Sequence, residues 1–469
     1  MTGPATSGPY RPAPMATSVI GSHAPPGWLD LAVVAQARGE LGPTDIREIQ
    51  DDAVDAALRD QEDAGIDVVS DGEMRRAGFF TAEFYRHLSG VLPLPSDRRL
   101  GAGGHDQQHR FKVVEAIASP AGLGVVEEFR YARTRTTRPI KVTLPGPFTL
   151  SGRLTYGSGE VYPDRISAAR AFVPILASEV GRLVDAGATY IQIDEPSPAI
   201  HPEASHEFAA LFNESVAGIQ GRVRLAAHLC FGNFMGRPLA ARLYRPVLRQ
   251  ALAFQVDELV LEWANREMAE LDVAADIAAA GRDLGAGVVD VKSYHLESAD
   301  EVAERIERIL AAGVPADQLL LVPDCGFSQT ARWATRPKLR ALVEGRDLVM
   351  GRRAAGGPSE RSARRAPSSD RFTGNLGRVK LTIDLPDDLV TKIKIEAARQ
   401  HRKLNDLVPE LLRSGLRRQR VPASELAAAG ETWLDAWLSL GRAATAGLPA
   451  PPTATEVLAA DRDRLERAR

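Results

Sequence analysis

Residues 224–230 are Arg-Leu-Ala-Ala-His-Leu-Cys, a short apolar run that ends in an imidazole and a thiol. Residues 319–325, Leu-Leu-Leu-Val-Pro-Asp-Cys, follow the same pattern. They end in a carboxylate and the second of the chain's two cysteines. Short apolar runs of this length are typical of buried strands in parallel sheets. Each run therefore predicts a strand with reactive side chains at its carboxyl end.

Similar runs recur along residues 16–349 and alternate with segments of helical periodicity. The predicted strands are Thr17–Ser22, Asp67–Glu73, Ile140–Gly146, Tyr190–Glu195, Arg224–Cys230, Glu258–Trp263, Gly287–Ser293 and Leu319–Cys325. The clearest helical segments are Asp45–Ala64, Ile166–Ala186, Ala299–Ala312 and Arg336–Val343. This order predicts an α/β fold, a (β/α)8 TIM-type barrel, with a doubly wound sheet as the main alternative. The polar, Arg-rich segment 86–139 is predicted to be an insertion beside the barrel.

Most of the predicted strands end in a polar or titratable side chain. In chain order these are Ser22, Asp71, Glu73, Asp194, Glu195, His228, Cys230, Glu262, Lys292, Asp324 and Cys325. Barrel enzymes place their active sites at the carboxyl ends of the strands. Because random surface polarity would not concentrate titratable groups there, the pattern predicts an enzyme.

Composition narrows the class of protein further. The 469 residues suggest two or three domains, and an apolar content of 44% supports a large core. The net charge of −3 gives no overall signal for nucleic acid, and no run of 18 apolar residues predicts a membrane span. Two distant cysteines favour a reducing, cytoplasmic location over a disulfide framework. Residues 1–15 lack the apolar segment of a secretory signal and are predicted to be a disordered leader.

A metal site is predicted where the fifth, sixth and eighth strands end. The candidate ligands are His228, Cys230, Glu262 and Cys325. Sulfur and imidazole ligands suit Zn²⁺, and the weak carboxylate is the ligand expected to yield to a substrate sulfur. Such an electron-rich set fits a site that binds and deprotonates a thiol. The alternative is that both cysteines are unrelated core residues.

Seven segments in this order resemble the cobalamin-independent methionine synthases, specifically their C-terminal catalytic barrel. They are Val19-Ile-Gly-Ser22, Ser70-Asp-Gly-Glu73, Leu144-Pro-Gly-Pro147, Ile191-Gln-Ile-Asp-Glu-Pro196, His228-Leu-Cys230, Leu261-Glu262 and Pro323-Asp-Cys-Gly326. The resemblance covers about residues 16–349. It implies zinc-dependent transfer of a methyl group to the thiol of homocysteine, which gives methionine.

The resemblance also assigns roles to individual residues. It implies that His228, Cys230, Glu262 and Cys325 bind zinc, and that Ile20, Gly21, Ser22, Glu73 and Asp194 hold the amino acid. Glu73 and Asp194 suit the substrate ammonium, and the backbone near Ser22 suits its carboxylate. The alternative for both acids is a pairing with arginines of the barrel.

The methyl-donor side departs from the family at three positions. Ser-Gly-Arg153 stands where a tryptophan usually stacks on the folate, and Ile200 stands where a second glutamate is expected. Lys292 stands where the family has a histidine that donates a proton. Three roles are open for Lys292: a catalytic acid, an anchor for an anion, or a charge paired with Asp290 or Glu262. The donor is then a methylated folate, another methylated cofactor, a corrinoid protein or a small molecule. A zinc enzyme that adds a thiol such as coenzyme M to an epoxide is the alternative function.

The sequence after residue 349 changes character. Residues 350–377 are predicted to be a flexible linker, because they are rich in Gly, Ser, Pro and Arg. Residues 378–420 resemble a ribbon-helix-helix antitoxin module, in which two copies pair their strands and enter the DNA major groove. Lys380 and Thr382 would then face the bases, with a dimer formed through residues 378–418.

The tail at 421–469 resembles antitoxin segments that fold on a nuclease toxin. The implied partners are operator DNA and that toxin, beside the thiol substrate and methyl donor of the barrel. Two alternatives stay open for the module: a docking or dimerisation appendage without DNA function, and a DNA-binding antitoxin that carries an inactive barrel. The sequence equally allows a true fusion or two reading frames joined across 351–377.

Overall fold

The computed structural model describes residues 9–76, 83–94, 110–200, 206–233 and 241–354. These residues fall within one compact unit, Met1–Ala366. The predicted ribbon-helix-helix module at 378–420, with Lys380 and Thr382, and the tail at 421–469 lie outside the described residues.

Eight strands and eleven α-helices are found in the described part of the chain. The strands are β1 (Ser89–Pro93), β2 (Phe111–Ala118), β3 (Val142–Pro145), β4 (Tyr190–Asp194), β5 (Arg224–Leu229), β6 (Glu258–Glu262), β7 (Asp283–Val289) and β8 (Leu319–Pro323). The helices are α1 (Gly27–Ala37), α2 (Pro43–Ala64), α3 (Val125–Arg135), α4 (Pro147–Ser151), α5 (Arg165–Asp185), α6 (Ser197–Ile200), α7 (His206–Val216), α8 (Leu248–Leu252), α9 (Leu271–Ala279), α10 (Ala299–Ala311) and α11 (Arg332–Ala354). No helix among these is long and apolar enough to cross a membrane.

Strands β3 to β8 form one parallel sheet in chain order, and helices connect successive strands. The strands β3, β4, β5, β6 and β8 are buried along their whole length, as expected for a parallel sheet covered on both faces. Strands β1 and β2 form a separate antiparallel pair within the predicted insertion. The fold is therefore α/β with a parallel sheet, which agrees with a TIM-type barrel.

The first two predicted strands are shorter than the sequence suggests. Within the described residues they contribute single parallel bridges, Thr17 to Leu321, Ser18 to Val68, and Val69 to Ile140. Only β3 to β8 are regular strands of this sheet. The described residues therefore do not form a closed barrel of eight regular strands. The second segment leaves the extended conformation early, because Gly72 and Glu73 adopt left-handed φ values of 71° and 58°.

The seventh strand begins and ends earlier than predicted, at Asp283 and Val289 instead of Gly287 and Ser293. Gly285 and Gly287 both lie in the observed strand, where tertiary packing leaves no room for a side chain. A Cβ at Gly285 would lie 2.6 Å from Glu258 Oε1, and a Cβ at Gly287 would overlap Asp324 Oδ1. The shift places Lys292 in the loop after β7 instead of in the strand.

Helix α10 shows how the sequence specifies a helix of the outer layer. Ser298 is its N-cap and accepts a hydrogen bond from the backbone of Glu301, whose side chain bonds back to complete a capping box. The buried side chains of the helix are Val302, Ala303, Ile306 and Ile309. This spacing of three to four residues gives one apolar face that packs inward.

Regular packing extends beyond both predicted ends of the barrel segment, residues 16–349. Tyr10 stacks on Tyr190 with ring centroids 5.8 Å apart, and Met15 is buried and donates to the carbonyl of Leu319. The disordered leader therefore does not extend over residues 9–15. Helix α11 continues to Ala354, so the predicted linker does not begin at residue 350.

A buried ion pair lies where β5 and β6 begin. Arg224 donates to Glu258 Oε2 at 2.9 Å, and Glu258, which is fully buried, also accepts from the hydroxyl of Tyr190. Arg224 bonds Asp283 at 2.8 Å as well. These contacts compensate the charges that the sheet buries at this end.

Replacement of Arg224 by methionine is expected to lower the free energy of unfolding by about 3–5 kcal/mol, because Glu258 would remain buried without its cation. Urea denaturation measures this change. Arg222→Met is the matched control, since Arg222 pairs with Asp185 at the surface and should contribute under about 1 kcal/mol. Equal effects of the two substitutions would contradict the role of burial.

Candidate metal centre

Three of the four predicted metal ligands meet at the carboxyl end of the sheet. His228 lies at the end of β5, Cys230 directly follows it, and Cys325 follows β8. A ring nitrogen of His228 and the two sulfur atoms lie within 4.8 Å of one another. Both cysteines are free thiols. The chain order of the sheet thus brings together residues almost a hundred positions apart.

The imidazole of His228 is oriented as a metal ligand requires. Its Nδ1 bonds the carbonyl oxygen of Val260 at 3.3 Å, which selects the tautomer with the proton on Nδ1. Its Nε2 is buried and has no hydrogen-bond partner among the described residues. A bare ring nitrogen oriented by a carbonyl on its other side is the usual arrangement of a zinc-binding histidine.

The spacing and chemistry of the cluster fit one zinc ion. Two ligands on opposite sides of one zinc ion would lie about 4.6 Å apart, and the three candidate atoms lie within 4.8 Å of one another. Without a cation, the cluster disfavours ionisation of the Cys325 thiol. The hydrogen bond with Cys230, together with burial, raises the pKa of the Cys325 thiol well above its usual value. A divalent cation would reverse this preference.

Glu262, predicted as the fourth ligand, is not placed in this cluster by the structure. Its Oε1 accepts from the backbone N–H of Phe231 at 2.9 Å. Its Oε2 accepts from Asn265 Nδ2 at 2.6 Å and forms an ion pair with Lys292. The fully buried carboxylate therefore has protein partners on both oxygens.

Lys292 is held beside Glu262 by the loop after β7. Its backbone N–H donates to Asp290 Oδ1 at 2.8 Å, and its side chain is 5% exposed. Burial acts to lower the pKa of Lys292, but Glu262 and the two thiols together raise it above its ordinary value. Of the roles predicted for Lys292, the structure contains the ion pair with Glu262.

The predicted amino-acid site adjoins the cluster. Gln192 Nε2 donates to the carbonyl of Ile20 at 2.8 Å and to Asp194 Oδ1 at 2.7 Å, so it joins two of the predicted residues. Sequence reasoning missed Gln192. The signal was available, because it precedes Asp194 by two positions on β4 and so points to the same face.

Glu73 lies against Gly21 in this site. A Cβ at Gly21 would be 2.6 Å from Glu73 Oε1, so only glycine lets the two segments approach this closely. Thr143 Oγ1 donates to the same oxygen at 2.8 Å, and Arg76 pairs with it at 3.1 Å. Burial is the main cause that raises the pKa of Glu73 to about 7, against the field of Arg76. Burial also raises the pKa of Asp194.

Ser22 connects the amino-acid site to the segment that carries Cys325. Its carbonyl accepts from the backbone N–H of Phe327 at 2.8 Å. A Cβ at Gly326 would overlap the Ser22 hydroxyl, so glycine is required there as well. The predicted residues Ile20, Gly21, Ser22, Glu73 and Asp194 therefore surround one region beside the cluster.

Other strand-end acids have structural roles. Glu195 accepts from the Phe148 backbone at 2.9 Å and from Thr149 Oγ1 at 2.7 Å, at the start of α4. Asp324 accepts from the backbone N–H groups of Trp263 and Ala264 at 2.8 and 2.9 Å. These carboxylates stabilise the loops that shape the site.

Three aromatic residues near the cluster divide between core and rim. Trp263 is fully buried. Tyr294 and Trp333 are exposed and stack on each other with ring centroids 5.8 Å apart. Tyr294 belongs to the loop that follows β7, and Trp333 to the first turn of α11.

The raised pKa of Glu73 predicts a pH-dependent stability. The pKa of Glu73 is about 7 in the folded protein and 4.5 in the unfolded chain, so the folded state binds the proton more tightly. The free energy of unfolding therefore falls as the pH rises through this interval. Glu73→Gln cannot ionise. Its free energy of unfolding relative to the wild type should therefore rise by roughly 3 kcal/mol between pH 4.5 and 7. Urea denaturation of metal-free protein measures this, and a constant difference across the interval would refute the assignment.

Comparisons with known proteins agree with this geometry. Residues 15–346 match the family described as cobalamin-independent synthase, catalytic domain. The chain is 32% identical to a methionine synthase of Pyrococcus abyssi over 334 residues, which cover 71% of this chain and 92% of the relative. It is 31% identical to a methionine synthase of Sulfurisphaera tokodaii over 335 residues, with 71% and 92% covered.

Solved structures give the same result. A B12-independent methionine synthase from Shewanella sp. W3-18-1, in complex with selenomethionine, has a TM-score of 0.62 and 29% identity, covering 73% of this chain and all of that one. A putative vitamin-B12 independent methionine synthase from Listeria monocytogenes has a TM-score of 0.52 and 20% identity, with 72% and 99% covered, and supports the fold. The chain therefore belongs to the family of cobalamin-independent synthase catalytic domains.

Proposed function

We propose that the barrel methylates the thiol of homocysteine and so produces methionine, with zinc held by His228, Cys230 and Cys325. The observation that carries this proposal is the buried His/Cys/Cys cluster directly beside an acidic amino-acid site. Relatives that cover the same segment are named methionine synthase, and the Shewanella structure contains selenomethionine, an analogue of the product.

In this proposal the two buried acids select the amino-acid part of the substrate. Glu73 and Asp194 face one region, where a substrate ammonium would neutralise them. The backbone of Ile20, Gly21 and Ser22 would receive the substrate carboxylate. An ammonium between these acids offsets the cost of burying their charge, so the site favours an amino acid over a simple thiol.

The cluster supplies the chemistry of the thiol. Bound zinc would lower the pKa of the substrate thiol and leave its sulfur nucleophilic. The hydrogen bond from His228 to Val260 keeps the ring in the metal-binding tautomer, and Cys230 is buried. The substrate sulfur, having lost its proton, would then form a bond to the methyl carbon, while the bond between the methyl group and its donor breaks and leaves its electron pair on the demethylated donor.

For the donor we propose a methylated cofactor of the folate or corrinoid type. Arg153, Ile200 and Lys292 stand at the positions where the family's folate-side residues are expected. A screen of methylated donors with homocysteine as acceptor distinguishes a folate, a corrinoid and a small molecule. The alternative function, alkyl transfer to coenzyme M, needs a different acceptor and no ammonium site.

The purified chain is expected to bind one zinc ion, and Cys325→Ser is expected to lose it, because two of the three ligands do not hold the metal. Elemental analysis measures the metal content. Homocysteine added to the zinc-loaded wild type should release a proton, which a pH indicator detects. A metal-free wild type would refute the proposal, and proton release with coenzyme M but not homocysteine would favour the alternative function.

For residues 378–420 we propose DNA binding by a dimer, with operator DNA and a nuclease toxin as partners. The support is the sequence pattern alone. The full chain should shift duplex DNA in a gel at low salt, more weakly at high salt because phosphate contacts release counterions. Lys380→Ala should reduce the shift. A wild type that causes no shift at low salt would remove this proposal and leave the barrel function unaffected.

A further inference from the structure

We infer that Glu128 is a positioning residue that draws the guanidinium of Arg76 away from Glu73, so that Glu73 stays available to a substrate ammonium. This inference rests on the proposed function and deepens it, because an acid next to a buried arginine selects an amino acid only if the arginine does not neutralise it. Glu128 lies on α3, within the insertion at 86–139. The insertion therefore takes part in substrate selection instead of being only an excursion beside the barrel.

Arg76 is bound mainly by Glu128. Its Nε and Nη2 donate to Glu128 Oε2 at 3.0 and 2.8 Å, and Nη2 also donates to the carbonyl oxygen of Thr143 at 2.7 Å. The guanidinium carbon lies 5.1 Å from the centroid of the Phe84 ring. The side chain of Arg76 is 2% exposed. These contacts fix the plane of the guanidinium, with one edge turned to Glu128.

The contact between Arg76 and Glu73 has a weaker geometry. Arg76 Nη1 lies 3.1 Å from Glu73 Oε1, but within the described residues Nη1 forms no hydrogen bond. Oε1 accepts from the hydroxyl of Thr143 at 2.8 Å instead. Both contacts lie on Oε1, which leaves Oε2 for the substrate ammonium. Since an ion pair without directed hydrogen bonds is weaker than one with two of them, Arg76 compensates Glu73 only in part.

The charge balance of these three side chains depends on Glu128. Burial acts to lower the pKa of Arg76, but Glu128 and Glu73 raise it above its ordinary value, so the cation persists. Burial raises the pKa of Glu128 to about 7, as it does for Glu73. Above this pH the two acids share one cation, and the excess negative charge attracts an ammonium. With Glu128 neutral, Arg76 would cancel the charge of Glu73.

Glu73 is fixed by its own backbone. It adopts a left-handed φ of 58°, its N–H donates to Asp71 Oδ1 at 3.0 Å, and its carbonyl oxygen accepts from the N–H of Arg76 at 3.0 Å. A residue other than glycine keeps this conformation only where the surrounding structure determines it, often at a ligand site. The carboxylate of Glu73 therefore has little freedom to follow Arg76.

Glu128 is fixed by the start of α3. The backbone N–H groups of Leu123 and Val125 donate to the carboxylate of Glu179 on α5, each at 3.0 Å. The side chain of Glu179 is buried. Because the positions of both acids are set in this way, the long side chain of Arg76 is the part that can shift between them.

Glu128→Gln and Glu128→Asp separate the effect of charge from that of shape. Gln keeps the size and a hydrogen-bond acceptor but loses the charge, whereas Asp keeps the charge on a shorter side chain. The measured quantity is the preference of the full-length, zinc-loaded protein for homocysteine over γ-mercaptobutyrate, the same molecule without its amino group. Isothermal titration calorimetry gives both dissociation constants. A pH of about 8 ionises both acids, because it exceeds their pKa values of about 7.

Glu128→Gln should lower this preference about tenfold, because Arg76 then turns to Glu73 and competes with the ammonium. Glu128→Asp should keep the preference within about threefold of the wild type. The matched control is Glu127→Gln, since Glu127 lies on the same helix, pairs with Arg130 and is 70% exposed. Its effect should stay under about twofold. The affinity for γ-mercaptobutyrate should be nearly equal in all variants, which a general distortion of the site would not produce.

The outcomes separate this inference from the proposed function. If the wild type prefers homocysteine and Glu128→Gln keeps that preference, the positioning role is overturned while the proposed function stands. The same holds if Glu128→Asp loses more of the preference than Glu128→Gln, because shape and not charge would then matter. A wild type that does not distinguish the two thiols overturns the amino-acid site and this inference together. Circular dichroism of each variant verifies that a lost preference is not a lost fold.

Discussion

Compensation of buried charge is the constraint on which the site depends. The parallel sheet ends in buried carboxylates, a buried imidazole and two thiols that are buried or half-buried, and buried polar groups need partners inside the protein. Glu262 has Lys292, Asn265 and a backbone N–H, and Asp324 has the backbone of the loop after β6. The loops around the cluster are therefore shaped by groups that neutralise charge as much as by apolar packing.

The cluster itself is left without such compensation. His228 Nε2 has no hydrogen-bond partner within the described part of the chain, and burial with a neighbouring thiol raises the pKa of Cys325. The amino-acid site shows the same feature, since burial raises the pKa values of Glu73 and Asp194. Both places favour a cationic ligand, which in the proposed function is a divalent metal in one and a substrate ammonium in the other.

The outer helices are coupled to this site through a second charged cluster. Asp60 of α2 lies 3.2 Å from His23 Nε2 and accepts from Arg332 Nε at 2.6 Å. Although burial acts to raise it, hydrogen bonds from His23 and Arg332 hold the pKa of Asp60 at about 2. Asp60 thus joins the loop of Ser22 to the start of α11, next to the rim aromatic Trp333.

The sequence by itself determined the α/β class, the segments β3 to β6 and β8, and the order in which reactive side chains follow them. Apolar runs and helical periodicity are local patterns, so these features could be found without coordinates. The tertiary structure decided the rest. It showed that β7 extends back over Gly285, that Gln192 joins Asp194 to Ile20, and that Glu262 pairs with Lys292. These features depend on contacts between segments that are distant in the sequence. A local sequence pattern identifies a side chain that can form an ion pair or bind a ligand, but only the fold decides which partner lies next to it.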